Sequence, residues 1–403
     1  MTEKNYPKDI EMNAPKSNSK TTHKGPLSGI TVIDLSRILA GPYCTLMLAE
    51  LGARVIKIEA PETGDDARQY GPFVNGKSAY FQSVNRGKES LVLNLKTETD
   101  KVVFKKLLAK ADIIVENFRP GTMEKLGFGW DTLKQEYPKL IYASASGFGH
   151  SGPDMYRPAY DMVVQGMGGI MSVTGHPGSP PTRIGMSIGD IGSGLYATIG
   201  IQAALYHRQL TGEATKVDIG MLDCQLALLE NAVMRYHVSG TAPGPLGARH
   251  PSITPFEAYQ TKDGYIIISA GNDALFAKLC DSLEKIEWVT DARYTTNDLR
   301  NQNVEALKTE MEAVLGTNTT SHWVDRLGDF GIPASPINDV GQASSHPQTI
   351  ARNMIVSIDD PITGPMKVSG NPIKISGFED PTTRSPAPNL DEHRDQILHE
   401  IKA

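Results

Sequence analysis

An aspartate set among glycines is the residue of this chain whose type and surroundings best suit covalent chemistry. Asp190 lies in IGDIGSG, between Gly189 and the pair Gly192/Gly194. Glycine lacks a Cβ, so such a segment lets a bulky ligand come close to the main chain and lets the backbone take positive φ. Beyond Gly194 the run LYATIGIQAALYHRQL is apolar at helical spacing. That predicts a helix there and makes Asp190 a loop residue just ahead of it. A carboxylate so placed is near the exposed N–H groups of a helix start, which favour its charge and would steady an oxyanion formed beside it. Asp also serves as a covalent nucleophile in other enzymes. The same position equally suits a helix cap with no chemistry, for which Asp is favoured on structural grounds alone. Upstream, Arg157, Tyr160 and Asp161 open the same stretch in YRPAYD.

A second set of residues falls at predicted strand ends: residues 37–42, GDDAR at 64–68, NRGK at 85–88 and ENFRPG at 116–121. Lys96, Asn117, Phe118, Arg119 and Lys125 offer an amide, a ring face and cations, which suit an adenine ring and phosphates. Each segment alone reads as a turn with solvated charges; four at successive strand ends weaken that reading. Other chemistries find less support. His176, His207, His237 and His250 show no HExxH or comparable spacing, so no metal is expected. ASASG around Ser144 and Ser146 lacks the hydrolase nucleophile elbow.

The elements that must position these residues alternate in the α/β manner. ITVIDL, RVIKIE, ADIIVEN and KLIYASAS read as buried strands, separated by the helical stretches GPYCTLMLAELG, KVVFKKLLAKA and WDTLKQEYP. The expected fold is a Rossmann-like, doubly wound parallel sheet, whose ligand crevice lies at the carboxyl ends of the strands. Its first turn, SRILAGP, holds no GxGxxG, so a nicotinamide dinucleotide is not expected. KVDIG followed by MLDCQLALLENAVMRYHVSG reads as a strand or short turn and then a long helix, and GTAPGPLG as a boundary. After it, FEAYQTKDGYIIISAG reads as a hairpin and LFAKLCDSLEKI and NVEALKTEMEAVL as amphipathic helices, a smaller α+β domain. The predicted organisation is a disordered tail over 1–24, a large domain over 25–225, a linker helix and small domain over 226–330, and a return to the large domain with a polar C-terminal tail over 331–403.

The 403 residues, 39% hydrophobic and 21% charged, describe an ordinary soluble protein with core enough to need no staples. Cys44, Cys224 and Cys280 lie far apart, which argues for a reducing compartment. A net charge of −6 gives no basic footprint for nucleic acid. No stretch has the ~18 apolar residues of a membrane span. The N-terminal residues carry neither a secretory h-region nor the Arg of a transit peptide, so a cytoplasmic location is expected.

Read in order, LSRILAGPYCT, LGARVIKIE, GDDAR, NRGKESLVLNLK, VENFRPGTMEKLGF, ASASGFGHSGP, RPAYDMVVQGMGGIMSVTG, IGDIGSGLYA, DIGMLDCQLALL, TKDGYIIISAGN and GIPASPI resemble the family III (CaiB/BaiF) CoA-transferases. The likeness covers the chain from Gly25 to the C-terminal region. It implies that Asp190 attacks an acyl-CoA thioester and carries CoA as an enzyme-bound thioester before an acceptor carboxylate reclaims it. No permanently bound cofactor is implied, since the CoA thioester is a substrate. By the same resemblance Leu39, Ala60, Leu93, Lys96, Asn117, Phe118, Lys125 and Tyr160 match CoA or intermediate contacts. Leu39 stands where some members have Gln, and Ala60 where some have Arg. AGPYCT, GDDAR, GARHPSITPF and TKDGYIIISAGN most resemble the branch acting on succinyl-CoA and dicarboxylates such as glutarate. The second carboxylate would need a cation, for which Arg37, Arg68 and Arg249 are the candidates. Interlocked homodimers are implied by the resemblance alone. An α-methylacyl-CoA racemase shares the fold but needs a pair of acid/base groups, and Tyr160 stands where that family has His. A non-catalytic CoA-binding protein is the other alternative.

Overall fold

Six short runs form one sheet. They are β1 (Thr31–Asp34), β2 (Arg54–Glu59), β3 (Glu89–Val92), β4 (Ile113–Glu116), β5 (Ile141–Ser146) and β6 (Lys216–Gly220). The computed structural model describes residues 25–402, so the predicted N-terminal tail lies outside the described residues. The strand order is β3-β2-β1-β4-β5-β6, and every neighbouring pair is parallel. This is the order of dinucleotide-binding folds, with its reversal between β1 and β4, the point beyond whose carboxyl ends such folds bind ligands. The register pairs Asp34 with Val115. Residues 35–38 and 116–118 therefore leave the sheet side by side.

Alternation along the strands gives the sheet two apolar faces. Ile33, Ile56, Ile58 and Ile114 pack with Phe104, Leu107 and Leu133 of the helices Glu98–Leu108 and Trp130–Glu136, and with Ile397 of Arg394–Lys402. Val32, Val55, Ile113 and Ile141 pack with Cys44 and Leu48 of α1 (Ala40–Glu50) and with Ala197 and Ile201 of the helix Ile188–Thr211. Helices on both faces make the sheet doubly wound. Two local expectations are corrected. The polar C-terminal tail ends in the helix Arg394–Lys402, anchored by the buried Ile397. The single long helix after β6 is two, Met221–Leu228 and Ala232–Ser239, parted at Glu230, whose φ is +55°.

The chain divides into two compact units. One holds the described residues up to Gly169, Gly185–Glu230 and the residues from Ile350 onward; the other holds Ile170–Ile184 and Asn231–Thr349. In the second unit the antiparallel strands Phe256–Gln260, Tyr265–Ser269 and Ala334–Pro336 form a sheet, in which the first two are a hairpin. Ile266 and Ile268 bury against Phe276 and Leu279, Leu307 and Met311, and Trp323 and Leu327, from three helices. This α+β unit has its own core.

Candidate active site

Two helices of the first unit build the surroundings of Asp190: α2 (Asp161–Met167) and α3 (Ile188–Thr211). Ser187 is the N-cap of α3 and makes no side-chain cap bond, so Asp190 sits in the first helical turn rather than in a preceding loop. The expectation of a loop is corrected by packing. A Cβ on Gly189 would stand 2.7 Å from Val164 Cγ2, one on Gly192 2.9 Å from Leu228 Cδ1, and one on Gly194 2.7 Å from the Ala40 carbonyl oxygen. The glycines permit close approach of neighbouring elements, and that contact outweighs the roughly 1 kcal/mol each costs inside a helix.

Asp161 joins the two helices. It is buried, its Oδ1 accepts the Gly189 N–H at 2.9 Å, and its Oδ2 accepts Gln165 Nε2 at 2.8 Å. Its charge acts on Asp190, which is half-buried and accepts no side-chain hydrogen bond among the described residues. Burial first, and the Asp161 charge second, push the Asp190 carboxyl up to about 7. The N-terminus of α3 favours the ionised form and acts the other way. The result is a carboxyl that ionises near neutrality in the first turn of α3.

Tyr80, from the helix Ala79–Asn85, faces the same charges. Burial and then Asp190 push its phenol up to about 12, so it remains a donor at working pH. Its ring meets that of Tyr70 edge-on at 5.8 Å. No spacing in the sequence marks Tyr80. Tyr160 is the N-cap of α2 and is 70% exposed.

At the β1/β4 reversal the structure brings Arg37, Leu39, Asn117 and Phe118 together. Leu39 is the buried N-cap of α1. The Arg37 guanidinium lies 5.5 Å from the centre of the Phe118 ring and 3.3 Å from Asp66. Behind Phe118, the buried Glu116 accepts the Phe118 N–H at 2.7 Å and the Tyr142 hydroxyl at 3.1 Å, and burial pushes its carboxyl up to about 7. Ala60 follows β2 and is exposed; Leu93 follows β3 and is buried, its N–H bonded to the Glu59 carbonyl. Lys96 and Lys125 are exposed and form no ion pair among the described residues.

Other charged residues of these turns face inward. Arg68 grips Glu59 through Nε at 2.7 Å and Nη2 at 2.6 Å and lies 3.8 Å over the Phe81 ring. Lys88, fully buried, donates to Asp34 at 3.0 Å, Asn85 at 2.9 Å and Thr45 at 2.7 Å, and burial lowers it to about 8. Burial alone would raise the Asp34 carboxyl, but Lys88 and Lys57 hold it well below the usual range. The GDDAR and NRGK turns thus fold their cations inward onto the buried carboxylates Glu59, Glu50 and Asp34. Arg249 belongs to the second unit and is half-buried.

The family model described as CoA-transferase family III matches residues 27–394. The chain is similar to the acetyl-CoA:oxalate CoA-transferase of Acetobacter aceti, with 46% identity covering 94% of this chain and 97% of that one. It is similar also to the succinate–glutarate CoA-transferase of Agrobacterium fabrum, at 39% identity over 94% and 96% of the two chains. A crystal structure of a CaiB/BaiF family protein from Brucella suis superposes with a TM-score of 0.82 at 40% identity, covering 94% of this chain and 99% of that one. A parallel sheet of dinucleotide-binding order without a dinucleotide fingerprint, a glycine-packed helix opening on an aspartate and a match over nearly the whole chain agree: the protein belongs to CoA-transferase family III.

Proposed function

We propose that the protein moves CoA from succinyl-CoA to a small dicarboxylate through a thioester on Asp190. The observation that carries this reading is the Asp190 carboxyl itself: half-buried, shifted to about 7, and set at a helix start held by Asp161. The carboxylate attacks the thioester carbonyl and expels CoA thiolate, leaving a mixed anhydride. The thiolate then attacks the aspartyl carbonyl, forming the enzyme thioester and releasing the donor acid as its carboxylate. The acceptor carboxylate attacks that thioester and expels the thiolate, which captures the acceptor acyl carbon and frees Asp190. Each step exchanges one acyl-bound group for another, so no permanently bound cofactor is needed.

CoA is held, in this reading, by Leu39, Ala60, Leu93, Lys96, Phe118 and Lys125, with Tyr160 beside the intermediate; Asn117 is left out because both ends of its amide bond the Arg37 backbone. Arg37 and Arg249 are the candidates for the distal carboxylate of the acceptor; Arg68 is left out because its guanidinium is engaged by Glu59. Oxalate is the second reading for the acceptor, favoured by the 46% identical relative. We read the protein as a cytoplasmic, interlocked homodimer; among the described residues no helix is long and apolar enough to cross a membrane.

The test is mass spectrometry after incubation with succinyl-CoA without acceptor and trapping by hydroxylamine or borohydride. A modification is expected on Asp190 and is expected to vanish in Asp190→Ala. No modification, together with exchange of the α-proton in deuterated water, would replace the transferase by a racemase.

A further inference from the structure

Three consecutive backbone units ahead of α1 are each gripped by a buried or half-buried side chain from another strand end. The Ser36 carbonyl accepts Lys57 Nζ at 2.7 Å. Arg37 is held from both sides by one residue: its N–H donates to Asn117 Oδ1 and its carbonyl accepts Asn117 Nδ2, both at 2.8 Å. The Ile38 N–H donates to Asp65 Oδ1 at 2.9 Å, and the other oxygen of Asp65 pairs with Lys57 at 2.8 Å, both side chains being at most 1% exposed. Within this grip Ile38 has φ +69°, a left-handed conformation that a β-branched side chain disfavours and that persists only where its surroundings impose it.

One residue past Ile38, the chain enters α1 through Leu39. The Ala40 carbonyl oxygen lies 2.7 Å from where a Cβ on Gly194 would stand, one turn beyond Asp190. The conformation of Ile38 therefore sets how the start of α1 abuts the nucleophile helix. We infer that Asn117 is a positioning residue for the nucleophile, its carboxamide locking the turn 36–38 so that α1 seats against α3 beside Asp190. An Asn117 side chain whose oxygen and nitrogen both bond one backbone unit has its amide engaged in the turn rather than presented to a nucleotide. The inference rests on the transferase reading for its kinetic consequence but not for the turn itself.

The experiment compares wild type, Asn117→Ala and the double variant Asn117→Ala/Ile38→Gly. Two readouts are taken: hydrogen exchange of the 35–43 peptide, and steady-state transfer from succinyl-CoA to glutarate or oxalate. In Asn117→Ala the amides of this peptide should exchange at least about tenfold faster while global stability holds. Its kcat should fall about 10- to 100-fold with KM for succinyl-CoA within about twofold, the pattern of lost geometry rather than lost binding. Glycine adopts the left-handed conformation unaided, so the double variant should regain most of kcat. A raised KM with kcat retained, or a double variant no faster than the single one, would assign Asn117 to direct contact with CoA and overturn the inference. Unchanged exchange overturns it even where wild type shows no transfer, the outcome that would instead sink the transferase reading.

Discussion

At the scale of single residues, Asp190 gives the sharpest pH prediction. An acid raised from 3.8 to about 7 binds its proton more tightly in the folded state. The native protein therefore loses stability, relative to a neutral side chain, as pH rises through the window from about 4 to about 7, and the full cost remains above it. Asp190→Asn should accordingly raise Tm at pH 8 and leave it unchanged near pH 3.5, a comparison that calorimetry can make. The rate of enzyme-thioester formation should rise with pH to a plateau above about 7, because only the carboxylate attacks. Asp161→Asn removes the neighbouring charge and should move that rise to lower pH. The two arginines of the first unit separate in the same way. Arg68→Gln strands the buried Glu59 and should cost about 3–5 kcal/mol in urea denaturation without changing KM for the dicarboxylate. Arg37→Gln, at an exposed position, should do the reverse. The helix that follows Asp190 is legible in the sequence because its apolar residues recur at helical spacing, but the glycines around Asp190 disguise that it lies inside the first turn. The destination of Arg68 is not, since a cation in a strand-end turn reads alike whether it meets solvent or folds back onto a buried glutamate.

At the scale of elements, α3 is held by the absence of side chains. A Cβ at Gly194 would collide with the main chain of α1, which cannot yield as a flexible side chain could. Gly194→Val should destabilise the protein by about 1–3 kcal/mol and reduce kcat more than KM, measured by denaturation and steady-state kinetics side by side. The strands β1, β2, β4 and β5 are readable because burial on both sides demands largely apolar runs; β3, Glu89–Val92, is not among the expected strands, since only Leu91 and Val92 in it are apolar. The first turn of α3 is not readable, because three glycines and an aspartate argue against helix locally and only packing reverses that. Arg394–Lys402 escapes for the opposite reason: its few apolar residues, Ile397 among them, are too sparse to set a period, yet one buried isoleucine anchors it.

At the scale of the whole molecule, α3 presents a second face. Leu195, Ile199, Tyr206 and Leu210 are 41–67% exposed and follow one another along the side turned away from the sheet. Exposed apolar side chains on one helix face are what a subunit contact would cover, as the proposed homodimer requires. Ile199→Glu should halve the mass seen by light scattering if that stripe is the contact, and leave it unchanged if the subunits meet elsewhere. The sequence names both cores but not how the chain distributes between them. Residues 170–184 join a unit whose main body begins at 231, a pairing that no local pattern encodes.

Cys44, Cys224 and Cys280 are all free, all buried, and pushed up by burial to about 12. Two lie in the first unit, one of them under the start of α3, and the third lies in the core of the second. A thiol reagent at neutral pH therefore has nothing to label on the closed molecule, and every labelling event counts an opening. Each unit thus carries its own clock, read at Cys44 and Cys224 in the first and at Cys280 in the second.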